Sequence, residues 1–331
     1  MPDASGVLVV LEPGAGALSA IDLELLRAGR DLADQLGGPL SAVALGAGIE
    51  PLGAAAGAAG ADRVLLADDP RASEYVGDLA LPILEQAARQ VAPALVLLGQ
   101  TAIGRELGPR LAFRLGAGIT TDCTDLRVEG GTVVMTKPVH GGNAIAEYTH
   151  ATTPQMATLR PRAFPAAEPV AGRGAPVEAL PASVDPGQAR TKLVETVRET
   201  ASEGPRLRDA KIVVSGGRGL GGPENWHYVE ELAAALGAAV GATRAVTDAG
   251  WVPPSLQVGL TGVTITPDLY VTVGISGAVQ HIAGVTGAKN IVAINRDADA
   301  NIFRHARFGI VGDYRQILPA LTAKLRELRG A

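Results

Sequence analysis

The segment VTVGISGAVQHIAG, residues 271–284, contains side chains and chain breaks that a ligand site would use. Its β-branched start predicts a buried strand, and the residues after Gly277 predict a short helix that carries Gln280 and His281. A helix N-terminus leaves backbone N–H groups unpaired and carries a partial positive charge. We expect Ser276 to cap this end and Gly277 to let another group approach the backbone. The junction is therefore a candidate phosphate or anion site, and an ordinary capped helix is the alternative.

A second candidate is the glycine-rich segment VVSGGRGLGGPEN, residues 213–225. Three of its glycines have the G-x-G-x-x-G spacing of the dinucleotide-binding fingerprint. Pro223 favours the first position of a helix, so this helix should begin after the third glycine, whereas the fingerprint has that glycine inside the helix. The segment therefore predicts an open glycine loop that carries Arg218, with a surface loop and a solvated arginine as the alternative. The three glycines are Gly217, Gly219 and Gly222.

A third candidate is GATRAVTDAGWVPPSLQVGLTG, residues 241–262. Thr243 and Arg244 follow a short apolar run, and two prolines then favour an extended loop that ends in the sequence VGLTG, residues 258–262. An arginine in a turn of small residues can present a fixed positive charge to a bound ring or phosphate. Each of the three segments is a weak signal when it is taken alone.

The elements that must position these segments alternate between strand and helix. In the first hundred residues, apolar runs of strand length are separated by helical stretches, which predicts a parallel sheet covered on both faces. The predicted strands are 7–12, 39–46, 63–68 and 94–100, and the predicted helices are 18–36, a short Ala-rich helix before residue 63, 77–91 and 101–116.

The pattern changes in the middle of the chain. Gly-Gly turns between short β-rich runs predict antiparallel hairpins over residues 125–150. Residues 161–187 are too rich in proline for a regular element, and residues 191–199 predict a last polar strand. We place a domain boundary near residue 206, which gives an N-terminal domain of residues 1–205 and a second domain of residues 206–331.

The second domain restarts the alternation, and its strands end in the small or polar turns SGG, ISG, NRD and GDY. In an open parallel sheet, ligands bind beyond the carboxyl ends of the strands. The predicted fold class is α/β, with two domains that each contain a mainly parallel sheet flanked by helices, the second one doubly wound. The predicted strands are 211–217, 269–277, 290–297 and 308–314, and the predicted helices are 224–238, 278–287 and 315–328.

Composition excludes several classes of function. The net charge is −5 and aromatic residues make up 3%, so nothing favours a nucleic acid or an anionic membrane as partner. One cysteine and five scattered histidines predict no disulfide framework and no metal site. No secretory signal or transmembrane run is recognised, so we expect a cytoplasmic protein without membrane insertion.

The order of the segments is more specific than any one of them. SGGRG, GATRAVTDAGWVP, QVGLTG, LYVTVGISGAVQH, IVAINRD and FGIVGDY together resemble the FAD-binding domain of the alpha subunit of electron-transfer flavoproteins. The first domain resembles the family more loosely, through TAIGRELGPRLAFRLGAGITTDCTDL, PVHGGNAIAEY and PQMATLRPRAF. The resemblance covers most of the chain and is densest over residues 211–315.

The resemblance implies that the second domain binds FAD. It implies that Arg218 lies near the FAD phosphates, and that Thr243 and Arg244 lie at the flavin end. Asn295 and Asp313 would hold the adenosine and ribose side. The full set of cofactor-binding residues that it implies is Arg218, Thr243, Arg244, Val258, Gly259, Leu260, Thr261, Ser276, Gly277, Ala278, Val279, Gln280, His281, Asn295, Asp313 and Tyr314.

Three of these residues would tune the flavin. The resemblance implies that Arg244 lies against the ring, that the Thr261 hydroxyl approaches flavin N5, and that His281 lies near the pyrimidine side. Positive charge from Arg244 and from the helix end would favour negative charge on a reduced flavin. On its own, a histidine on a short helix is more often a structural hydrogen-bonding residue than a catalytic one, and this is the alternative for His281. Leu260 stands where the family usually has glutamine, which puts any side-chain contribution at that position in doubt.

The resemblance also implies partners and a role. The chain would pair with an electron-transfer flavoprotein beta subunit through its first domain, and would carry single electrons. Flavin dehydrogenases such as the acyl-CoA dehydrogenases of fatty acid beta-oxidation would donate them, and a membrane quinone oxidoreductase would accept them. Three alternatives stay open: a bifurcating flavoprotein that uses NADH, an NADP-dependent oxidoreductase with Arg244 on the 2′-phosphate, and a nucleotide-sensing or scaffold protein. Flavin content and redox cycling would separate the sensing or scaffold protein from the carrier.

Overall fold

The computed structural model describes residues 4–12, 16–142, 144–181, 187, 189–196, 206–208 and 210–329. The chain divides into two compact units. The first comprises Met1–Val139 and Ile145–Thr196, and the second comprises His140–Ala144 and Val197–Ala331. The boundary near residue 206 stays a prediction, because residues 197–205 lie outside the described part of the chain.

The first unit is built on a seven-stranded parallel sheet with the strand order β10-β3-β2-β1-β4-β9-β5. Its inner strands are continuous apolar runs, as expected for strands that are buried on both faces. The strands are β1 (Val7–Val10), β2 (Leu40–Gly46), β3 (Arg63–Asp68), β4 (Leu95–Gly99), β5 (Ile119–Cys123), β9 (Gln155–Leu159) and β10 (Val177–Ala179).

Helices cover this sheet and form two apolar clusters with it. Ser19 begins the first helix with a capping box, in which Ser19 and Asp22 each bond the other's backbone N–H. The alternation that the sequence predicts is therefore confirmed in this unit. The helices are α1 (Ala20–Leu36), α2 (Glu50–Ala58), α3 (Gly77–Val91) and α4 (Ala102–Leu115).

A separate three-stranded sheet contains β6 (Asp125–Glu129), β7 (Thr132–Val139) and β8 (Ala144–Tyr148) in that order. The pairing of β6 with β7 is antiparallel, which confirms the predicted hairpin. The strands on either side of this segment, β5 and β9, belong instead to the parallel sheet.

Two predictions for the segment after residue 160 were wrong. Strand β10 lies inside the proline-rich stretch, where we expected no regular element. It follows Pro176 and pairs with β3 at the edge of the sheet, and an edge strand tolerates a neighbouring proline. Residues 191–196 form no strand, and residues 197–199 lie outside the described part. The Arg190 N–H and the Thr191 hydroxyl donate instead to Asp78, and no strand in the described part of the chain pairs with this segment.

The second unit contains a five-stranded parallel sheet with the order β12-β11-β13-β14-β15. This order makes it a doubly wound sheet whose connections reverse direction between β11 and β13, and ligands in such folds bind at that reversal. The strands are β11 (Ile212–Gly216), β12 (Ala239–Ala242), β13 (Leu269–Val273), β14 (Ile291–Asn295) and β15 (Phe308–Val311).

The helices of the second unit differ widely in length. A 3₁₀ turn at Pro223–Asn225 precedes α5 (His227–Leu236), so this helix begins after Gly222, as the position of Pro223 predicts. α6 (Arg244–Thr247) and α7 (Val279–Ile282) have one turn each, and α8 (Tyr314–Arg329) is long. Among the described residues, no helix is both long and apolar enough to cross a bilayer.

Glu24 is a buried carboxyl group on the sheet side of α1, with 5% of its surface exposed. Its Oε2 accepts a hydrogen bond from Arg162 N at 2.7 Å. Burial nevertheless raises the pKa of Glu24 from its ordinary 4.5 to about 7. Because the folded state favours the protonated form, this contribution to stability is complete at low pH and is lost as the pH rises through about 7.

Replacing Glu24 with glutamine should flatten the pH dependence of stability. The wild-type free energy of unfolding should fall by on the order of 2 kcal/mol between about pH 5 and pH 8 on account of this group, and Glu24→Gln should remove that fall. Urea unfolding at both pH values measures it. Glu74→Gln, at an exposed glutamate of the same unit, is the control and should keep the wild-type slope. Equal slopes for wild type and Glu24→Gln would contradict the assignment.

Candidate functional site

The carboxyl ends of β11, β13, β14 and β15 surround a cavity of about 140 Å³. This is the edge of the sheet where a doubly wound fold binds ligands. Four of the predicted cofactor-binding residues line the cavity, and so do two arginines that the sequence reading missed. The predicted residues are Arg218, Asn295, Asp313 and Tyr314, and the additional ones are Arg296 and Arg315.

The glycines after β11 allow two backbones to meet. The Gly217 N–H donates to Val273 O at 2.8 Å, and the Gly219 N–H donates to Gly274 O at 3.0 Å. A Cβ at Gly219 would lie 2.7 Å from Gly274 O, and one at Gly217 would be closer still. The Gly219 N–H is therefore bonded within the protein and is not available to a phosphate. This counts against a dinucleotide-binding fingerprint in this loop, and so against the NADP-dependent oxidoreductase.

The turn after Gly274 has its carbonyl groups held on the protein side. Three consecutive carbonyl oxygens each accept a hydrogen bond from the end of β14 or from the 3₁₀ turn that follows it. This fixes the orientation of the three peptide planes. The bonds run from Asn295 Nδ2 to Ile275 O at 3.0 Å, from Ile302 N to Ser276 O at 3.0 Å and from Asn301 Nδ2 to Gly277 O at 2.8 Å.

The N–H groups of the same turn have no protein acceptor. From Ile275 to Gln280, none of the six backbone N–H groups donates a hydrogen bond to any described residue. Four of these residues are exposed, namely Ser276, Ala278, Val279 and Gln280. Such a run of unpaired N–H groups offers hydrogen-bond donors suited to a phosphate or another anion.

One expectation about this turn was wrong, and the close approach expected at Gly277 is made by the protein itself. Ala278, and not Ser276, is the N-cap residue of α7, and no side chain caps this helix. Gly277 has φ +83°, and a Cβ there would clash with the backbone of Ile302. The nearby backbone of Ile302 therefore requires glycine at this position. The N–H donors belong to the turn before and at the start of α7, and the four residues of α7 are too few to form a substantial helix dipole.

His281 is a buried part of the framework, with 7% of its surface exposed. Its Nδ1 lies 3.0 Å from Val258 O and its Nε2 lies 2.8 Å from the Tyr270 hydroxyl. Burial lowers the pKa of His281 to about 4, so the ring is neutral at physiological pH. A neutral ring donates from Nδ1 to the carbonyl and accepts at Nε2 from Tyr270. The geometry therefore supports a positioning role and gives no support to His281 as a donor to a ligand.

The loop from Val258 to Val263 is tied to α7. Leu260 N donates to Gln280 O at 2.7 Å, and Gly259, at φ +145°, leaves room for that same carbonyl. The Leu260 side chain is 62% exposed, and Val279 in α7 is also exposed. The predicted loop and the predicted strand–helix junction are thus brought together, which the sequence spacing did not show.

Thr261 is held by a residue that the sequence reading missed. Gln257 Nε2 donates to Thr261 Oγ1 at 3.0 Å, and Gln257 Oε1 accepts from the Thr247 hydroxyl at 2.9 Å. The hydroxyl hydrogen of Thr261 therefore has no acceptor among the described residues and is left to donate to a ligand. Only the position of Gln257, immediately before the VGLTG loop, could have indicated this role.

Arg244 and Thr243 lie away from the cavity, at the end of β12. The Arg244 guanidinium is 67% exposed, and its Nε lies 3.1 Å from Asp248 Oδ2. This ion pair partly offsets the positive charge that the sequence assigns to Arg244. Thr243 is the N-cap residue of α6, but its side chain makes no cap hydrogen bond.

The two carboxylate oxygens of Asp313 differ in their hydrogen bonds, and Asp313 lines the cavity. Its Oδ1 accepts a hydrogen bond from Arg315 N at 2.9 Å, which caps α8. Its Oδ2 has no partner among the described residues. Asn295, by contrast, uses both ends of its amide within the protein, since Nδ2 donates to Ile275 O and Oδ1 accepts from Asp297 N. Asp313 therefore keeps an acceptor oxygen for a ligand, whereas the Asn295 amide is engaged within the protein.

Comparisons with known proteins identify the family of this chain. Residues 7–185 match the family described as the electron transfer flavoprotein domain, and residues 206–286 match the electron transfer flavoprotein FAD-binding domain. The chain belongs to the electron transfer flavoprotein alpha-subunit family. The second match ends after α7, so it includes β11, β12, β13, α7 and the VGLTG loop, and stops before β14.

Relatives from this family match the chain along nearly its whole length. An electron transfer flavoprotein subunit alpha of Bacillus subtilis is 40% identical over 97% of this chain and 98% of its own. The corresponding protein of Mycobacterium leprae is 40% identical over 98% of this chain and 99% of its own. A Clostridium saccharobutylicum protein named Protein FixB is 40% identical over 99% of this chain and 98% of its own.

Alanine at Gly277 should disrupt the turn more than alanine at Gly221. Both glycines have positive φ, at +83° and +89°, but only the Gly277 position has a protein backbone in the way. We expect Gly221→Ala to cost about 1 kcal/mol and Gly277→Ala clearly more, with loss of flavin retention. Urea unfolding and the flavin content of the purified protein measure both effects. Similar behaviour of the two variants would show that the clash is relieved.

Removing the Tyr270 hydroxyl should destabilise the second unit. Tyr270→Phe leaves the buried Nε2 of His281 without a donor, which typically costs about 1–3 kcal/mol. Tyr228→Phe is the matched control, because the Tyr228 hydroxyl makes no hydrogen bond to a described residue. Denaturant unfolding of the two variants is the measurement. An unchanged midpoint for Tyr270→Phe would refute the hydrogen bond.

Proposed function

We propose that this chain is the alpha subunit of a heterodimeric electron transfer flavoprotein that binds FAD and carries single electrons. The observation that carries the proposal is the turn from Ile275 to Gln280, whose N–H groups are unpaired at the reversal point of a doubly wound sheet. Such a surface fits the diphosphate of a dinucleotide. The family description of residues 206–286 as an FAD-binding domain supports FAD as that ligand.

The residues around the turn fit the remaining parts of FAD. Arg218 and Asp313 line the cavity and supply a cation for phosphate and an acceptor for ribose hydroxyls. Thr261 supplies a hydroxyl donor, and Arg244 supplies a cation on the other side of the turn. In this proposal Ser276–Gln280 hold the middle of the cofactor through their backbone, and Val258–Thr261 lie against the ring.

A bound flavin supplies one-electron redox chemistry, and the protein sets its orientation and electrostatics. Arg244 favours negative charge near it, and Asp248 weakens that effect. Thr261, oriented by Gln257, presents a donor hydrogen. His281 acts through the Val258 carbonyl and holds the loop in place. Leu260 gives the loop an exposed apolar side chain where the family usually has glutamine.

The partners follow from the family. Relatives named subunit alpha imply a second subunit, and we propose an electron transfer flavoprotein beta subunit, contacted mainly by the first domain. We further propose flavin dehydrogenases such as acyl-CoA dehydrogenases as donors, a membrane quinone oxidoreductase as acceptor, and the cytoplasm as location.

The deciding experiment is an absorption spectrum of the chain purified with its beta subunit and followed through stepwise reduction. Bound FAD that is reduced in two resolved one-electron steps would support the carrier. Direct two-electron reduction by NADH would favour the bifurcating alternative. A colourless complex whose extract contains NADP would overturn the flavin assignment, and a complex without any redox cofactor would favour a sensing or scaffold role.

Opposite changes of charge at the Arg244–Asp248 pair should shift the flavin potential in opposite directions. Arg244→Ala should lower the first reduction potential and Asp248→Asn should raise it, each by roughly 10–40 mV, because an exposed charge contributes about 0.2–1 kcal/mol. Spectroelectrochemical titration of flavin-loaded variants measures the shifts. Potentials that stay at the wild-type value in both variants would show that this pair lies too far from the ring.

A further inference from the structure

The Gln257 side chain connects the helical turn that carries Arg244 to the loop that carries Thr261. Its Oε1 accepts a hydrogen bond from the Thr247 hydroxyl at 2.9 Å, and its Nε2 donates to Thr261 Oγ1 at 3.0 Å. Thr247 is the last residue of α6 and is buried, whereas Thr261 is exposed. The amide therefore joins a buried hydroxyl group to one that a ligand can reach.

The backbone around Gln257 is held on both sides. Gln257 forms a parallel bridge with Ala242 at the end of β12, and the Val263 N–H donates to Gln257 O at 2.7 Å. A Cβ at Gly262 would clash with that same carbonyl group, so the loop closes tightly over it. The Gln257 side chain consequently starts from a fixed point between the two hydroxyl groups.

The Thr247 hydroxyl has two acceptors for its single hydrogen. Its Oγ1 lies 2.9 Å from Gln257 Oε1 and 3.0 Å from Arg244 O. A hydroxyl group donates one hydrogen bond and accepts up to two. When its hydrogen points to Arg244 O, the Thr247 oxygen is able to accept a hydrogen bond from Gln257. Thr247 can therefore be donor or acceptor toward the amide without moving its oxygen.

A half-turn of the Gln257 amide exchanges its oxygen and its NH₂ group while the other heavy atoms stay in place. In the first arrangement, Nε2 donates to Thr261 and the Thr261 hydrogen is directed at a ligand. In the second, Oε1 accepts that hydrogen, Nε2 donates to Thr247, and Thr247 donates to Arg244 O. Both ends of the amide have a partner in each arrangement. The difference is whether Thr261 offers a ligand a hydrogen or a lone pair.

We propose that the Gln257 amide is a two-position element that matches the Thr261 hydroxyl to the redox state of the flavin. An oxidised flavin has an unprotonated N5 that accepts a hydrogen bond, whereas a fully reduced flavin has an N5–H group that donates one. The first arrangement suits the oxidised flavin and the second suits the reduced one. The half-turn only rotates groups, and no proton leaves its oxygen or nitrogen. This inference rests on the proposed function, in which Thr261 faces flavin N5.

The test follows the protonation of N5 in the half-reduced flavin of the FAD-loaded heterodimer. The red form has an unprotonated N5 and the blue form has a protonated one, so absorption spectra during stepwise reduction give the pH at which the two are equal. Thr261→Val should weaken FAD binding but leave this pH nearly unchanged, because the wild-type hydroxyl serves both forms.

Gln257→Glu removes the choice between the two arrangements. A carboxylate only accepts hydrogen bonds, so it holds the Thr261 hydrogen and leaves a lone pair for the ligand. This polarity and the added negative charge should both favour the blue form. The double variant Gln257→Glu/Thr261→Val keeps the charge without the hydroxyl. We expect the red-to-blue equilibrium constant to differ roughly threefold to tenfold between these two variants, the effect of one hydrogen bond.

Gln35→Glu is the control, because it makes the same change at an exposed position of α1, and it should behave like wild type. A shift of the red-to-blue pH in Thr261→Val alone, in either direction, would show that Thr261 has one fixed polarity. Equal behaviour of Gln257→Glu with and without the Thr261 hydroxyl would show that residue 257 does not orient it. Either result would overturn the inference while the bound flavin leaves the flavoprotein assignment intact. A wild-type heterodimer that binds no flavin would instead refute the proposed function.

Discussion

The site depends on three hydrogen bonds to consecutive carbonyl groups. Asn295, Asn301 and Ile302 each hold one carbonyl oxygen of the turn from Ile275 to Gly277 on the protein side. Each peptide unit is planar, so fixing its carbonyl oxygen also fixes the direction of the N–H group. Unpaired N–H groups would normally be costly, and a negatively charged ligand would satisfy them. The turn is therefore arranged for binding before any ligand arrives.

The two units share a parallel architecture but use their strand ends differently. In the first unit, the reversal between β1 and β4 contains the Glu12 carboxylate, which accepts a hydrogen bond from the Thr101 hydroxyl at the start of α4. Apolar side chains line most of the adjoining cavity of about 30 Å³. A carboxylate repels phosphate, whereas the corresponding region of the second unit has unpaired N–H groups and arginines. The same fold thus supports different roles through a few residues at its strand ends.

Buried polar groups connect the ligand loops to the core of the second unit. The chain from Tyr270 through His281 to the Val258 carbonyl runs from the middle of the sheet to the VGLTG loop. A second chain runs from Thr247 through Gln257 to Thr261. Such networks favour one arrangement of the backbone because displacing it leaves a polar group unsatisfied. The position of the loop is therefore set by residues that a ligand need not touch.

The alternation of strand-like and helical runs in the sequence determined the α/β class and most element positions, because these follow from local periodicity. The position of Pro223 determined that α5 begins after Gly222, because proline favours the first position of a helix. The order of the motifs also indicated the family. Only the tertiary structure decided that Ala278 begins α7, that Gly277 is required by Ile302, and that His281 is buried with both ring nitrogens engaged. These features depend on contacts between residues distant in sequence, which local patterns do not contain. The same holds for Gln257, whose contacts with Thr247 and Thr261 become visible only in the folded structure.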